Sequence, residues 1–107
     1  MKTAKKSSTD NPPLVPTEFS GWSFLTNHTH LLVCLSRDPD LTVRRLAMMV
    51  GITERSVQRI LAELEESGVV TRTREGRRNR YEVDLKYQLR HPLESQHTVG
   101  ELLATLQ

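Results

Sequence analysis

The segment from Leu46 to Gly68 constrains the fold more than any other part of this chain. Leu46, Ala47 and Val50 make the inward face of a short helix predicted over residues 43–50, with Thr42 placed to cap its free amides. Gly51-Ile52 breaks that pattern and Thr53 supplies a second cap. Val57, Ile60, Leu61 and Leu64 then recur at i, i+3, i+4 and i+7, which predicts a longer helix from Glu54 to about Ser67. Gly68 follows as the left-handed residue that ends it. Two helices joined by so tight a turn must cross steeply. Ala47 is small where they meet, Gly51 allows the turn, and Leu46, Val50, Ile52, Val57 and Ile60 interlock between them.

The flanking segments complete a small core. Phe24, His28, Leu31, Leu32 and Leu35 share one helical face, so a first helix is expected over about Asn27 to Ser36. The run Leu31–Leu35 also suits a buried strand, but its length and the stop at Arg37-Asp38-Pro39-Asp40 favour the helix. Trp22 and Phe24 are expected to seal one end of the core. After Gly68, Val69 to Glu75 and Arg80 to Leu85 read as two strands around a polar turn at residues 76–79. Tyr81, Val83 and Leu85 alternate with Arg80, Glu82 and Asp84, the pattern of a half-buried antiparallel hairpin. Thr98 and Glu101 have the spacing of a capping box, with the apolar stripe Val99, Leu102, Leu103 and Leu106 behind it. A helix this short is marginal alone. It must dock, either on the first helix or on the same surface of a second chain. The expected fold is α+β and mostly helical: a three-helix core, a two-stranded hairpin and a short C-terminal helix.

With 107 residues and 12.3 kDa the chain has room for one small domain with tails. Residues 1–20 mix lysine with three prolines and few large apolar groups, a composition that predicts a flexible basic arm. Residues 21–90 form the expected domain, and 91–107 a linker with a docking or oligomerisation helix. No apolar run approaches the roughly 20 residues of a membrane-spanning helix, and no apolar segment follows the N-terminal lysines as in a secretory signal. The single cysteine, Cys34, suits a reducing compartment, so a cytoplasmic protein is expected. No nucleophile with its base, phosphate-cradling glycine loop or carboxylate pair is evident, so neither an enzyme nor a cofactor is expected. His30 and Cys34 are four residues apart, a spacing that can hold a metal. Cys34 nevertheless lies inside the apolar run, as a small core residue would.

The charge is uneven. Residues 44–90 carry eleven basic and seven acidic side chains, and Arg72 to Arg80 alone holds five arginines against Glu75. Arginine outnumbers lysine eleven to four. That bias suits bidentate contact with phosphate or guanine. Helix, glycine turn and second helix is the helix-turn-helix order. Residues Thr42 to Asp84 resemble the winged helix-turn-helix domains of bacterial transcriptional regulators, particularly the MarR-like and ArsR-like groups. The resemblance lies in the threonine-capped helix with Leu46-Ala47, in Gly51-Ile52-Thr53, in Leu64-Glu65-Glu66-Ser67-Gly68-Val69-Val70, and in the basic tip Glu75-Gly76-Arg77-Arg78-Asn79-Arg80-Tyr81. It implies binding of double-stranded DNA, with the second helix of the pair in the major groove and the hairpin near the minor groove. The chain lacks the long terminal dimer helices of the larger MarR-like regulators and the Cys-x-Cys pair of some ArsR-like sensors.

Helical geometry then selects contacts. With Val57, Ile60, Leu61 and Leu64 inward, Arg55, Arg59, Ala62 and Glu66 point outward, flanked by Ser56, Gln58 and Glu63. Such helices enter the groove by their N-terminal part, so Thr53, Arg55, Ser56, Gln58 and Arg59 are the expected base readers. Arg59 could instead pair with Glu63. Arg44 and Arg45 sit in the first turn of their helix, where a cation opposes the helix dipole at about 0.3–1 kcal/mol each. Either a phosphate or Asp38 and Asp40 would offset that cost. Arg74, Arg77, Arg78 and Arg80 are expected to reach the DNA backbone or a narrow minor groove. The leading expectation is a homodimeric, sequence-specific regulator, with an effector neither required nor indicated. The alternatives are a winged-helix module for protein assembly, docking through Val99, Leu102, Leu103 and Leu106, and a metal- or redox-responsive regulator using Cys34.

Overall fold

The computed structural model describes residues 21–107, so the expected basic arm over 1–20 lies outside the described residues. The elements run α1 (Asn27–Arg37), α2 (Val43–Val50), α3 (Glu54–Ser67), β1 (Val70–Glu75), β2 (Arg78–Val83) and α4 (Val99–Ala104). Thr42 Oγ1 accepts from Arg45 N, and Thr53 Oγ1 from Ser56 N, so each helix of the central pair starts on its own threonine cap. Gly51 ends α2 with φ +85°, a left-handed conformation that a side chain would strain. It begins the three-residue turn, Gly51-Ile52-Thr53, that leads from α2 into α3.

The core joins α1, α2, α3 and the base of the hairpin. Leu31, Leu35, Leu46 and Val57 are almost fully enclosed, each worth roughly 1.5–3 kcal/mol of transfer free energy. Ile60, Leu61 and Leu64 complete the buried stripe of α3. On α2 the third buried residue is Met48, while Val50 is only half-buried.

Three sequence expectations are corrected. Trp22 and Phe24 do not seal the core: they are 74% and 89% exposed and pack edge to face on each other, ring centroids 4.7 Å apart. Both precede the first turn of α1, so the helical spacing that placed Phe24 inward does not reach it. Glu75 pairs directly with Arg78, which shortens the expected four-residue turn to Gly76-Arg77. Gly76 takes φ +64°, the positive angle that two-residue hairpin turns demand at their first position. Leu85 lies past the end of β2 and is half exposed. Of the two docking options for α4, the structure shows the first: Val99 and Leu103 are buried in the chain's own core as α4 docks on α1, leaving Leu102 and Leu106 as the more accessible members of that stripe.

The stretch after β2 folds back on the domain. Tyr87 O accepts from Val99 N at 2.8 Å, Leu89 N donates to His97 O, and Tyr87 Oη donates to the Ser67 carbonyl at the end of α3. The capping box is complete: Glu101 N donates to Thr98 Oγ1, and Thr98 N to Glu101 Oε1. Gly100 N donates to Leu85 O, and a Cβ at position 100 would stand 2.8 Å from that oxygen. α4 therefore lies against the backbone because residue 100 has no side chain.

Candidate nucleic-acid interface

The second helix of the pair is a 14-residue element, about 21 Å long. Its buried stripe leaves Arg55, Gln58, Arg59 and Ala62 exposed along the other side. Thr53 and Ser56 are bound into the cap itself: Thr53 Oγ1 accepts from Ser56 N and donates to Ser56 Oγ, each at 3.0 Å. They offer a duplex only what those two bonds leave of their hydroxyls. Arg55 makes no ion pair with any described residue. Arg59 does, reaching Glu63 Oε2 at 3.4 Å.

The hairpin presents its arginines unequally. Arg72 Nε lies 3.4 Å from Glu65 Oε1, which ties β1 to the side of α3. Arg80 is engaged within the chain: its Nη1 binds Asp40 Oδ2 at 2.9 Å, with Glu82 Oε2 at 3.5 Å. Asp40 beside it pushes the Arg80 guanidinium further into its charged range. Arg78 Nη2 donates to Asp40 O at 3.5 Å, and Arg74 Nε to Gly76 O at 3.1 Å. Arg77 at the tip has no ion-pair partner among the described residues.

Residues 38–41 do a job the sequence did not announce. Pro39 O accepts from Tyr81 N at 2.9 Å, so this loop lies along the outer edge of β2 and covers one of its open amides. Asp38 Oδ1 accepts from Asp40 N, which turns the loop and holds the Asp40 carboxylate toward Arg80. Asp40 is thereby engaged away from Arg44 and Arg45, and neither arginine has an ion pair with a described residue. A cleft of about 210 Å³ brings the start of α2 (Thr42, Val43) beside Arg77, Arg78 and Asn79 of the hairpin. The helix start and the hairpin tip are thus neighbours, each with an exposed arginine.

Cys34 is buried, and burial pushes its thiol above the usual range despite the opposing pull of Arg37. A thiol held protonated is a poor metal ligand and a poor nucleophile. His30 Nδ1 is bound to Asn27 Oδ1, and the described residues hold no cluster of three candidate ligands.

A capped helix pair crossing at a glycine, followed by a hairpin locked to the loop before the pair, defines a winged helix-turn-helix domain. The MarR family model matches residues 26–78, from the cap of α1 to the first residue of β2. This segment carries α1, α2, α3 and β1 and is consistent with a MarR-like winged-helix regulator, while Asn79, Arg80 and Tyr81 of the wing lie beyond it. No match was found among curated proteins or among solved structures.

Proposed function

We propose that this protein is a sequence-specific regulator of transcription that binds double-stranded DNA as a homodimer. The match of residues 26–78 to the MarR family model supports a regulator rather than an enzyme. The observation that carries the DNA reading is the division of labour among the arginines. Arg72 and Arg80 hold the wing in place, while Arg44, Arg45, Arg55 and Arg77 stay exposed and without carboxylate partners among the described residues. In this reading Arg55, Gln58 and Arg59 read base edges with help from Thr53 and Ser56. Arg44, Arg45, Arg74, Arg77 and Arg78 neutralise phosphate.

For the dimer, the supporting feature is apolar surface left open. Phe24, Met49 and Leu106 line one groove of about 580 Å³ with the half-buried Val33 and Val50, and Trp22 stacks on Phe24 beside it. A ridge next to a recess on one face is what a two-fold interface can use twice. Among the described residues no helix is long and apolar enough to cross a membrane.

The test is a mobility shift on duplexes selected from genomic fragments. Arg55→Ala reduces discrimination between selected and random duplex, and a lost base contact costs about 1–3 kcal/mol. Arg77→Ala weakens both duplexes alike. Unchanged binding in both variants would refute the assignment.

A further inference from the structure

Glu63 sits one turn beyond Arg59 on α3 and divides its carboxylate between two cations. Oε2 lies 3.4 Å from Arg59 Nη1, and Oε1 lies 2.6 Å from Nε2 of His28, a residue delivered by α1. Among the described residues these are its side-chain partners. The other ionisable groups of the adjoining groove are Glu66 on α3 and Tyr87, Arg90, His91 and Glu94 in the segment that closes over it. The remaining histidine of α1, His30, is bound to Asn27.

We propose that His28 is a positioning residue for the DNA contact of Arg59, acting through Glu63. When His28 is protonated, the imidazolium neutralises Glu63 and Arg59 is released to the duplex. When His28 is neutral, Arg59 is the only cation on that carboxylate and stays folded back along its own helix. The inference rests on α3 being the DNA-reading helix.

The physical basis is competition for one charge. A carboxylate already paired to an imidazolium at 2.6 Å attracts a second cation less, and the added proton also lowers the repulsion between Glu63 and phosphate. The expected direction is a DNA affinity that rises as pH falls, because the added proton neutralises Glu63. Side-chain exposures of 41% for His28, 49% for Glu63 and 61% for Arg59 keep the effect modest. It amounts to about two- to fivefold in affinity.

The experiment is fluorescence anisotropy of a selected duplex with the full chain, between about pH 8 and about pH 6 at constant ionic strength. Wild type tightens as pH falls. His28→Gln keeps a donor for Glu63 but cannot titrate, and its pH slope is flattened although His30, His91 and His97 remain. Glu63→Gln binds tightly at both ends and is also flat. Calorimetry in buffers of different ionisation enthalpy reads proton uptake on binding, which disappears in both variants. A flat wild type, or a slope that survives in either variant, overturns the proposal. Arg59→Ala separates the two readings. If it leaves affinity unchanged, the assignment of α3 fails; if it weakens binding but keeps the full wild-type slope, only the role of His28 fails.

Discussion

Arginine does two different things on this surface, and neighbouring carboxylates decide which. Arg80 is held by Asp40 at 2.9 Å and Arg72 faces Glu65, whereas Arg55 and Arg77 have no such partner among the described residues. Replacing Asp40 by Ala should therefore loosen the wing rather than remove a DNA contact. Amide exchange reads this directly: the Tyr81 N–H, donated to Pro39 O, is expected to exchange faster in Asp40→Ala while amides of α3 keep their protection. Equal protection of Tyr81 in variant and wild type would show that the clamp is idle. From sequence, Arg55, Arg59 and Arg77 could be placed because helical period and turn position fix where they stand. The Asp40–Arg80 pair spans forty positions and was not legible. Asp38 and Asp40 signal a turn from sequence, but only the fold shows which arginine the turn faces.

Helices and strands were more legible than their ends. The threonine caps, Gly51 and Gly68 bound α2 and α3 where the apolar stripes predict, because capping and left-handed turns are local chemistry. The hairpin turn is shorter than composition suggests: Arg78 and Asn79 look like loop residues, yet the pairing of Glu75 with Arg78 carries the ladder up to the turn at Gly76-Arg77. Trp22 and Phe24 show the opposite failure: aromatic character alone did not put them inside. At the far end, the capping box of α4 makes a quantitative prediction. Thr98→Ala should lower stability by about 1 kcal/mol, read by denaturant unfolding. The Thr98 amide also holds the Glu101 carboxyl below the usual range, so this contact favours folding above the unfolded carboxylate pKa. That contribution is lost as pH falls through the lower folded value. Glu101→Gln keeps an acceptor for the cap, and its midpoint should vary less with pH across that acidic window. Gly100→Ala, by contrast, must push α4 off the Leu85 carbonyl. A cost of about 1–3 kcal/mol is expected from the overpacking.

At the scale of the molecule, the proposed function gives the exposed arginines and the open apolar face separate tasks. Binding through neutralised phosphates predicts affinity that falls steeply with salt, with a shallower slope once Arg77 is removed. The apolar face predicts a dimer that Phe24→Asp together with Met49→Asp converts to monomer in sedimentation. A pair that still sediments as wild type would locate the contact elsewhere. The central claim is that the start of α3, the start of α2 and the tip of the hairpin lie together against a duplex. Amide shift mapping of the labelled chain on addition of a selected duplex tests it most directly. The expected result is perturbation concentrated at residues 42–45, 53–59 and 76–78, with 99–106 unmoved. Shifts confined to the α1–α4 side, with residues 53–59 and the hairpin tip unchanged, would contradict it.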